Sequence, residues 1–444
     1  MSKSSRNRVR CPDVHRSPQI RDMLPSATLA INEVCDKLRS EGKQVFRLGL
    51  GESPFPVPSS VVEALRANAS QKSYLPVKGL YELRDAVADY HCRSHGLASD
   101  PEDVLIGPGS KQLMFLLQIV YDGDLVIPTP AWVSYAPQAQ IVGRKVYFLP
   151  TRRDQGWRLN AAQLKALCRD DPDRPRIVIL NYPSNPTGGS YSADELKSLA
   201  AVARHFRVVL LSDEIYGELH HQGQHVSVAR FYPEGTILSS GLSKWCGAGG
   251  WRLGTFTFPR NLHWLLEAMS AVASETYTST SAPIQYAAVK AFKGGIRLER
   301  YLWNVRRILR ALAGSIVRRL SEANVHVDLP VGAFYLFPDF SGVRDQLSTR
   351  GISTSDELCQ RLLDDIGVAM LPGSAFGRPP TELTARMAYV DFDGTKALAA
   401  AETLPKDAEI DDGFLETYCG NVLIAVDRLC AWLELPARQR QTAS

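Results

Sequence analysis

Lys244 stands in the run Ser239-Ser240-Gly241-Leu242-Ser243-Lys244-Trp245-Cys246-Gly247-Ala248-Gly249-Gly250-Trp251-Arg252-Leu253-Gly254. Its glycines let backbone approach a ligand closely. A lysine amine held there forms an imine with an aldehyde if its surroundings keep it partly deprotonated. Arg252 is placed to grip a phosphate through two parallel hydrogen bonds. The plain alternative is a surface loop with a solvated lysine. Asp213-Glu214-Ile215-Tyr216 follows an apolar run. A carboxylate such as Asp213 can keep a pyridine nitrogen protonated, and the ring then withdraws electrons from a developing carbanion. Tyr216 is a donor for a phenolic oxygen on the same ring. Taken alone, the pair also fits a helix-start Asp and a packed Tyr.

Three further groups fall after apolar runs. Asn185, in Asn181-Tyr182-Pro183-Ser184-Asn185-Pro186-Thr187-Gly188, sits in a turn stiffened by Pro and Gly. Its amide suits the same phenolic oxygen or a substrate carboxylate. Gly109, Ser110 and Lys111 open a helical pattern, where free N–H groups attract phosphate. Their spacing is not that of a Walker loop. Trp132 offers a flat face for stacking on a pyridine, or else is a core residue. Far along the chain, Arg386 begins a short strand pattern. It could clamp a carboxylate, although an arginine on an edge strand is usually solvated.

The elements that must position these residues are legible as short apolar runs: Asp103–Gly107, Leu125–Pro128, Lys145–Leu149, Arg176–Asn181, Val208–Ser212, Thr236–Ser239 and Leu253–Phe258. Several are apolar throughout, as strands buried on both faces are. Helical patterns separate them, clearest at Gln112–Tyr121 and at Ser192–His205, which opens with a capping-type Ser192-Ala193-Asp194-Glu195. The alternation predicts an α/β domain with a largely parallel sheet, whose ligands sit beyond the carboxyl ends of the strands. The remainder predicts an α+β domain: a long helix at Glu299–Asn324, a β-rich stretch at Val325–Asp339, a helix at Thr354–Asp365, strands at Val368–Leu371 and Arg386–Val390, and a last helix at Asn421–Leu433. Ala397–Gly420 is acidic and has no clear pattern. The expected division is 1–70, an N-terminal arm and part of the small domain; 71–300, the large domain; and 301–444, the small C-terminal domain.

Composition narrows the function. The 444 residues are 45% hydrophobic and 22% charged, ordinary values for a globular chain long enough for two domains. A net charge of +4 gives no field that argues for nucleic acid or an acidic membrane surface. No run approaches the ~18 apolar residues of a membrane span. The basic residues Lys3, Arg6, Arg8 and Arg10 precede no apolar run, so a solvated tail is expected and a secretory signal is not. Cys11, Cys35, Cys92, Cys168, Cys246, Cys359, Cys419 and Cys430 are scattered, as in reduced cytoplasmic proteins. His220, His221 and His225 lack the His-Glu-x-x-His spacing of a metal hydrolase and are expected to be solvated.

These pieces, in this order and spacing, resemble the class I/II aminotransferases of pyridoxal-phosphate (PLP) fold type I, and within them the aspartate aminotransferase branch. The likeness runs from about Leu48 to Val390. It includes Leu50-Gly51-Glu52-Ser53-Pro54-Phe55, Tyr74-Leu75-Pro76-Val77-Lys78-Gly79-Leu80 and Gly332-Ala333-Phe334-Tyr335. The resemblance implies a three-layer α/β fold, with a mainly parallel seven-stranded sheet in the large domain and a smaller α+β domain. It implies pyridoxal 5′-phosphate as cofactor, held by Lys244 as a Schiff base. Lys244 would then move the proton between Cα and C4′ during ping-pong exchange. Asp213 would pair with the pyridinium, and Asn185 and Tyr216 with its oxygen. Ser110, Ser243 and Arg252 would hold the phosphate. Tyr74 would reach the phosphate of a neighbouring subunit, making a homodimer with shared sites. Gly51 and Arg386 would grip the substrate carboxylate. Lys111 points to an acidic amino donor such as aspartate, with 2-oxoglutarate as acceptor. One departure is Gly241, three residues before the lysine, where the family often has a phosphate-binding serine; Ser239 or Ser240 is the expected substitute. Rival readings are another PLP reaction on the same fold (a lyase, a synthase or an oxidase) and a non-catalytic regulator. No helix-turn-helix pattern supports the regulator.

Overall fold

The structure is a computed structural model that describes residues 15–21, 23–406 and 408–434. The basic residues Lys3 to Arg10 and Cys11 lie outside them. The strands are β1 (Phe46–Arg47), β2 (Val104–Gly107), β3 (Asp124–Thr129), β4 (Val146–Pro150), β5 (Arg176–Asn181), β6 (Val209–Asp213), β7 (Thr236–Gly241), β8 (Gly254–Thr257), β9 (Tyr335–Leu336), β10 (Val368–Ala369), β11 (Leu371–Pro372) and β12 (Ala385–Ala388). Seven of them form one sheet in the order β2-β8-β7-β6-β5-β3-β4. Within it only β8 runs antiparallel to its neighbours. This is the expected mainly parallel seven-stranded sheet.

Both faces of that sheet are covered, which is why its strands read as unbroken apolar runs. Ile177 and Ile179 of β5 pack with Leu113, Leu117, Leu265 and Met269, from the helices Ser110–Val120 and His263–Ser274. Val178 and Leu180 point the other way. They meet Leu164, Leu196 and Leu199 of the helices Ala161–Arg169 and Ala193–His205. The period-2 alternation of a strand thus divides one apolar run between two cores. The helix Ala193–His205 starts at the capping box foreseen at Ser192. Glu195 N–H donates to Ser192 Oγ at 3.3 Å, and Ser192 N–H donates to Glu195 Oε2 at 2.8 Å.

Elsewhere β11, β12 and β9 make an antiparallel sheet, and β1 pairs in parallel with β10. Cys35 and Val45 of the N-terminal region pack against Leu363 and Ala369. The long helix is present as Ile296–Glu322.

Two stretches differ from expectation. Val325–Asp339 holds β9 and, beyond it, only isolated bridges, of His326 with Asp339, Gly332 with His220 and Asp339 with Thr384. Pro330 and Pro338 lack the N–H a ladder needs. Ala397–Gly420 is largely helical: one helix spans Gly394–Thr403, and the last spans Asp412–Glu434, bent at Cys419 (φ −121°, ψ 16°). Glu402, Glu409, Asp411, Asp412 and Glu416 face solvent, while Leu415, Cys419, Val422, Leu423 and Val426 are buried. Among the described residues, no helix is long and apolar enough to cross a membrane.

Candidate active site

Strands β5, β6 and β7 end side by side. Asn181 is in register with Asp213, and Asp213 with Ser239. A cavity of about 470 Å³ opens beyond these ends, between the large sheet and β9 and β12, within the range of small-molecule sites. It brings together eleven of the residues singled out above: Gly51, Ser110, Lys111, Trp132, Asn185, Asp213, Tyr216, Ser243, Lys244, Arg252 and Arg386. Gly109 lies just beneath, as N-cap of the helix Ser110–Val120. Tyr74 is not brought in; it is 90% exposed on the surface of this chain.

Asp213 closes β6 with its carboxylate buried. Tyr135 O–H donates to Oδ2 at 2.6 Å, and Ser239 O–H reaches Oδ1 at 3.3 Å. Burial pushes this carboxyl up to about 6, and the Tyr135, Ile215 N–H and Ser239 donors only partly offset it. Ser239 is therefore committed to Asp213, and neither it nor Ser240 lines the cavity. Asn181 Nδ2 donates to the Asp213 carbonyl at 2.9 Å, and Asn181 Oδ1 accepts from Asn185 N–H at 2.7 Å. One side chain thereby locks the Asn185 turn to the end of β6.

Lys244 follows β7, and its Nζ donates to Gly51 O at 2.8 Å. Tyr216 O–H and Tyr335 O–H lie 2.8 Å apart, both buried. Burial and the facing Tyr335 hydroxyl hold the Tyr216 phenol well above the usual range. Arg386 lies on the middle strand of the three-stranded sheet and is 1% exposed, unlike a solvated edge arginine. It donates to Asn185 Oδ1 at 3.1 Å and to Gly49 O. Its Nε finds no hydrogen-bond partner among the described residues, and neither does Thr28 Oγ1, on a residue lining the same cavity. Lys111 Nζ stands 5.0 Å from the centre of the Trp132 ring. Desolvation, with the Arg252 and Lys244 charges nearby, lowers its pKa.

The other end of the cavity is a backbone cradle. The helix Ser110–Val120 begins there, two residues earlier than its apolar pattern suggested, because Gly109 takes φ 90° as its cap. A Cβ on Gly109 would lie 2.3 Å from Arg252 Nη2, and one on Gly254 would lie 2.1 Å from Ser110 N. Arg252 itself adopts φ 57°, which folds it back over the helix start.

The lining carries four cations, Lys111, Lys244, Arg252 and Arg386, against two carboxylates, Glu52 and Asp213. None of the four has a carboxylate within salt-bridge distance among the described residues. Cations left unpaired in a cavity mark a site for anionic ligands. A bare helix start with Arg252 suits a phosphate, a buried carboxylate suits a ring N–H, and an amine suits an aldehyde.

Comparison with known proteins agrees. The family model "Aminotransferase class I and II" matches residues 43–400. The chain belongs to the class I and II aminotransferases. This aminotransferase is 34% identical over 371 residues to an aspartate aminotransferase of Geobacillus stearothermophilus, covering 81% of this chain and 91% of that one. It is 32% identical over 367 residues to an aspartate/prephenate aminotransferase of Thermus thermophilus, again covering 81% and 91%. Among solved structures, an aspartate aminotransferase from Thermus thermophilus with maleate superposes with a TM-score of 0.80 at 28% identity, covering 94% of this chain and all of that one. The aminotransferase is a PLP-dependent enzyme of fold type I, and the donor set just described fits that cofactor.

Sequence reasoning missed Tyr135, Tyr335, Ser26, Thr28 and Leu29, all of which line the cavity. Ser26, Thr28 and Leu29 come from the start of the helix Ala27–Ser40, and nothing in their types signals chemistry. The histidines differ too. His221 is buried between the Pro330 and Ala333 carbonyls, and His225 meets Glu214 at 2.7 Å. Among the described residues, no group of three or more His, Cys, Asp or Glu could hold a metal.

Proposed function

We propose that the enzyme moves the amino group of an acidic L-amino acid, with aspartate favoured, to a 2-oxo acid such as 2-oxoglutarate. The observation that carries this reading is the excess of unpaired cations. One phosphate accounts for Arg252 and one α-carboxylate for Arg386, which leaves Lys111 for a distal carboxylate. The relatives named aspartate aminotransferases and the neighbour solved with maleate, a dicarboxylate, support it.

Pyridoxal phosphate, when bound, supplies an aldehyde that forms imines with amines and a pyridinium ring that accepts electrons from Cα. In this reading Ser110, Ser243, Arg252 and the amides after Gly109 hold its phosphate, and Trp132 stacks on its ring. Asp213 keeps the ring nitrogen protonated, and Asn185 and Tyr216 meet its oxygen. Arg386 and the Gly51 backbone fix the substrate α-carboxylate so that the Cα–H bond faces Lys244. Lys244 Nζ takes that proton and returns one in the opposite half-reaction. Amino acid and oxo acid exchange an amino group, so the sum needs no outside oxidant.

The reading includes a homodimer in which the exposed Tyr74 reaches the neighbouring subunit's phosphate. It also includes closure of segments 1–70 and 301–444 on the 71–300 domain around the substrate. A cytoplasmic setting is supported by the seven described cysteines, none of which is paired.

The test is the visible spectrum of the cofactor-loaded protein. L-aspartate should replace the yellow band by that of the amine form, and 2-oxoglutarate should restore it. Lys111→Ala should lower kcat/KM for aspartate roughly 10- to 100-fold, the loss of one charge-assisted contact, and barely alter alanine. Equal losses for both donors would sink the assignment to an acidic substrate.

A further inference from the structure

We propose that Tyr335 is a positioning residue of this site, one that acts through Tyr216. This rests on the reading that Tyr216 donates to the cofactor's phenolic oxygen. The two hydroxyls come from elements 119 residues apart: Tyr335 lies on β9 and Tyr216 follows β6. Tyr335 is 1% exposed and its ring stands edge-on to that of Tyr216, with centroids 5.6 Å apart. Arg386, on the adjoining strand β12, lies 4.9 Å from the centre of the Tyr335 ring.

The direction of the bond decides the function. If Tyr216 donates to Tyr335, the Tyr335 proton is left with Gly51 O at a long 3.4 Å. If Tyr335 donates to Tyr216, the Tyr216 proton is free to point into the cavity. An anionic oxygen in the cavity selects the second arrangement, and the two bonds in series strengthen each other. Tyr335 thereby makes Tyr216 a better and better-aimed donor.

The space for this is reserved by Gly51. A Cβ there would fall 2.0 Å from the Tyr335 hydroxyl, so no larger residue is compatible with the pair as built. Gly51 O also accepts from Lys244, so the lysine and the tyrosine pair meet at one residue.

The test is a pH titration of the visible band of the cofactor-loaded enzyme without substrate. A phenolic oxygen that loses a donor becomes more basic, and the proton it shares with the imine nitrogen is held to higher pH. Tyr216→Phe should therefore raise the midpoint most. Tyr335→Phe should raise it by about half a unit, the weight of one neutral hydrogen bond. The double variant should match Tyr216→Phe alone, because Tyr335 has nothing left to act on. The Tyr335→Phe substitution keeps an aromatic ring under Arg386, so KM for the amino donor should stay within about twofold. An unmoved midpoint in Tyr335→Phe, or additive shifts in the double variant, would overturn the proposal. A Tyr216→Phe midpoint equal to that of the parent would overturn the placement of Tyr216 on the phenolic oxygen, and the proposal with it.

Discussion

Asp213 and Glu214 are adjacent in the chain and both are buried, yet their surroundings push them in opposite directions. Asp213 faces the cavity with Tyr135 and Ser239 as its side-chain donors, and burial raises it to about 6. Glu214 faces away from the cavity. It accepts from Ser212 Oγ at 2.7 Å, Ser227 Oγ at 2.6 Å, Tyr182 O–H at 3.3 Å and His225 Nε2 at 2.7 Å. Burial acts to raise this carboxyl as well, but the His225 and His95 rings and the Ser227 hydroxyl outweigh it and hold it at about 2. The same residue class at the same depth is thus structural where the fold supplies its partners. It is poised for a ligand where the fold withholds them. The unpaired Lys111, Lys244, Arg252 and Arg386 show the same shortfall from the cationic side.

The comparison breaks most sharply at Asp213→Asn. The variant keeps an acceptor for Tyr135 and loses the charge that a ring N–H needs. Activity should fall on the order of 10²- to 10³-fold, the scale of one preorganised electrostatic contact. The cofactor-free protein should respond in the opposite sense. A carboxyl raised in the folded state contributes stability that is fully present below its unfolded value, near 3.8, and is lost as pH rises through about 6. Above pH 7 the buried ionised Asp213 therefore costs about 3 kcal/mol in the parent, a cost that the neutral amide of the Asp213→Asn variant does not incur. Melting temperatures of the two cofactor-free proteins at pH 5 and pH 8 decide the matter. A variant less stable than the parent at pH 8 would mean that Asp213 is a structural residue like its neighbour.

Much of this arrangement is visible in the sequence, for a physical reason. Many of the residues that line the cavity follow the ends of buried strands, and buried strands announce themselves as short apolar runs. Asn185, Asp213 and Lys244 are legible in that way. Tyr135 and Tyr335 are not, because their partners are 78 and 119 residues distant and a phenol on an apolar face looks like core. Ser239 misleads for the same reason: a serine near Lys244 looks like a phosphate ligand until register places it beside Asp213. His221 and His225, expected to be solvated, have their side chains taken out of water because the carbonyls of the 330–333 turn, over 100 residues off, satisfy the first and the buried Glu214 the second. His220 is half-buried and accepts from the Gln222 and Gln224 N–H groups.

On the other side of the comparison, Glu214→Gln should cost stability more than chemistry. Removing one member of a buried, hydrogen-bonded pair costs about 3 kcal/mol. A carboxyl depressed in the folded state contributes stability that is present above its unfolded value, near 4.5, and is lost as pH falls toward about 2. The variant should therefore melt several degrees lower than the parent at pH 7. The difference should shrink as both are acidified below pH 4.5, while kcat at 25 °C changes less than tenfold. A variant with parental melting temperature and a thousandfold loss of kcat would invert the division between the two carboxylates.

The smallest expected effect separates two roles for one hydroxyl. If Ser239 served the phosphate, Ser239→Ala would weaken the binding of pyridoxal phosphate and leave pyridoxal, which lacks the phosphate, untouched. Its 3.3 Å contact with Asp213 Oδ1 predicts something else. A long, neutral hydroxyl contributes about 0.5–1 kcal/mol to the carboxylate it faces. The loss should be two- to fivefold and the same for both ligands, because both present the same ring nitrogen to Asp213. Tyr135→Phe removes the shorter contact, at 2.6 Å, and should produce the same pattern at larger size. A loss confined to pyridoxal phosphate would return Ser239 to the phosphate and leave Tyr135 as the only side chain that steadies Asp213.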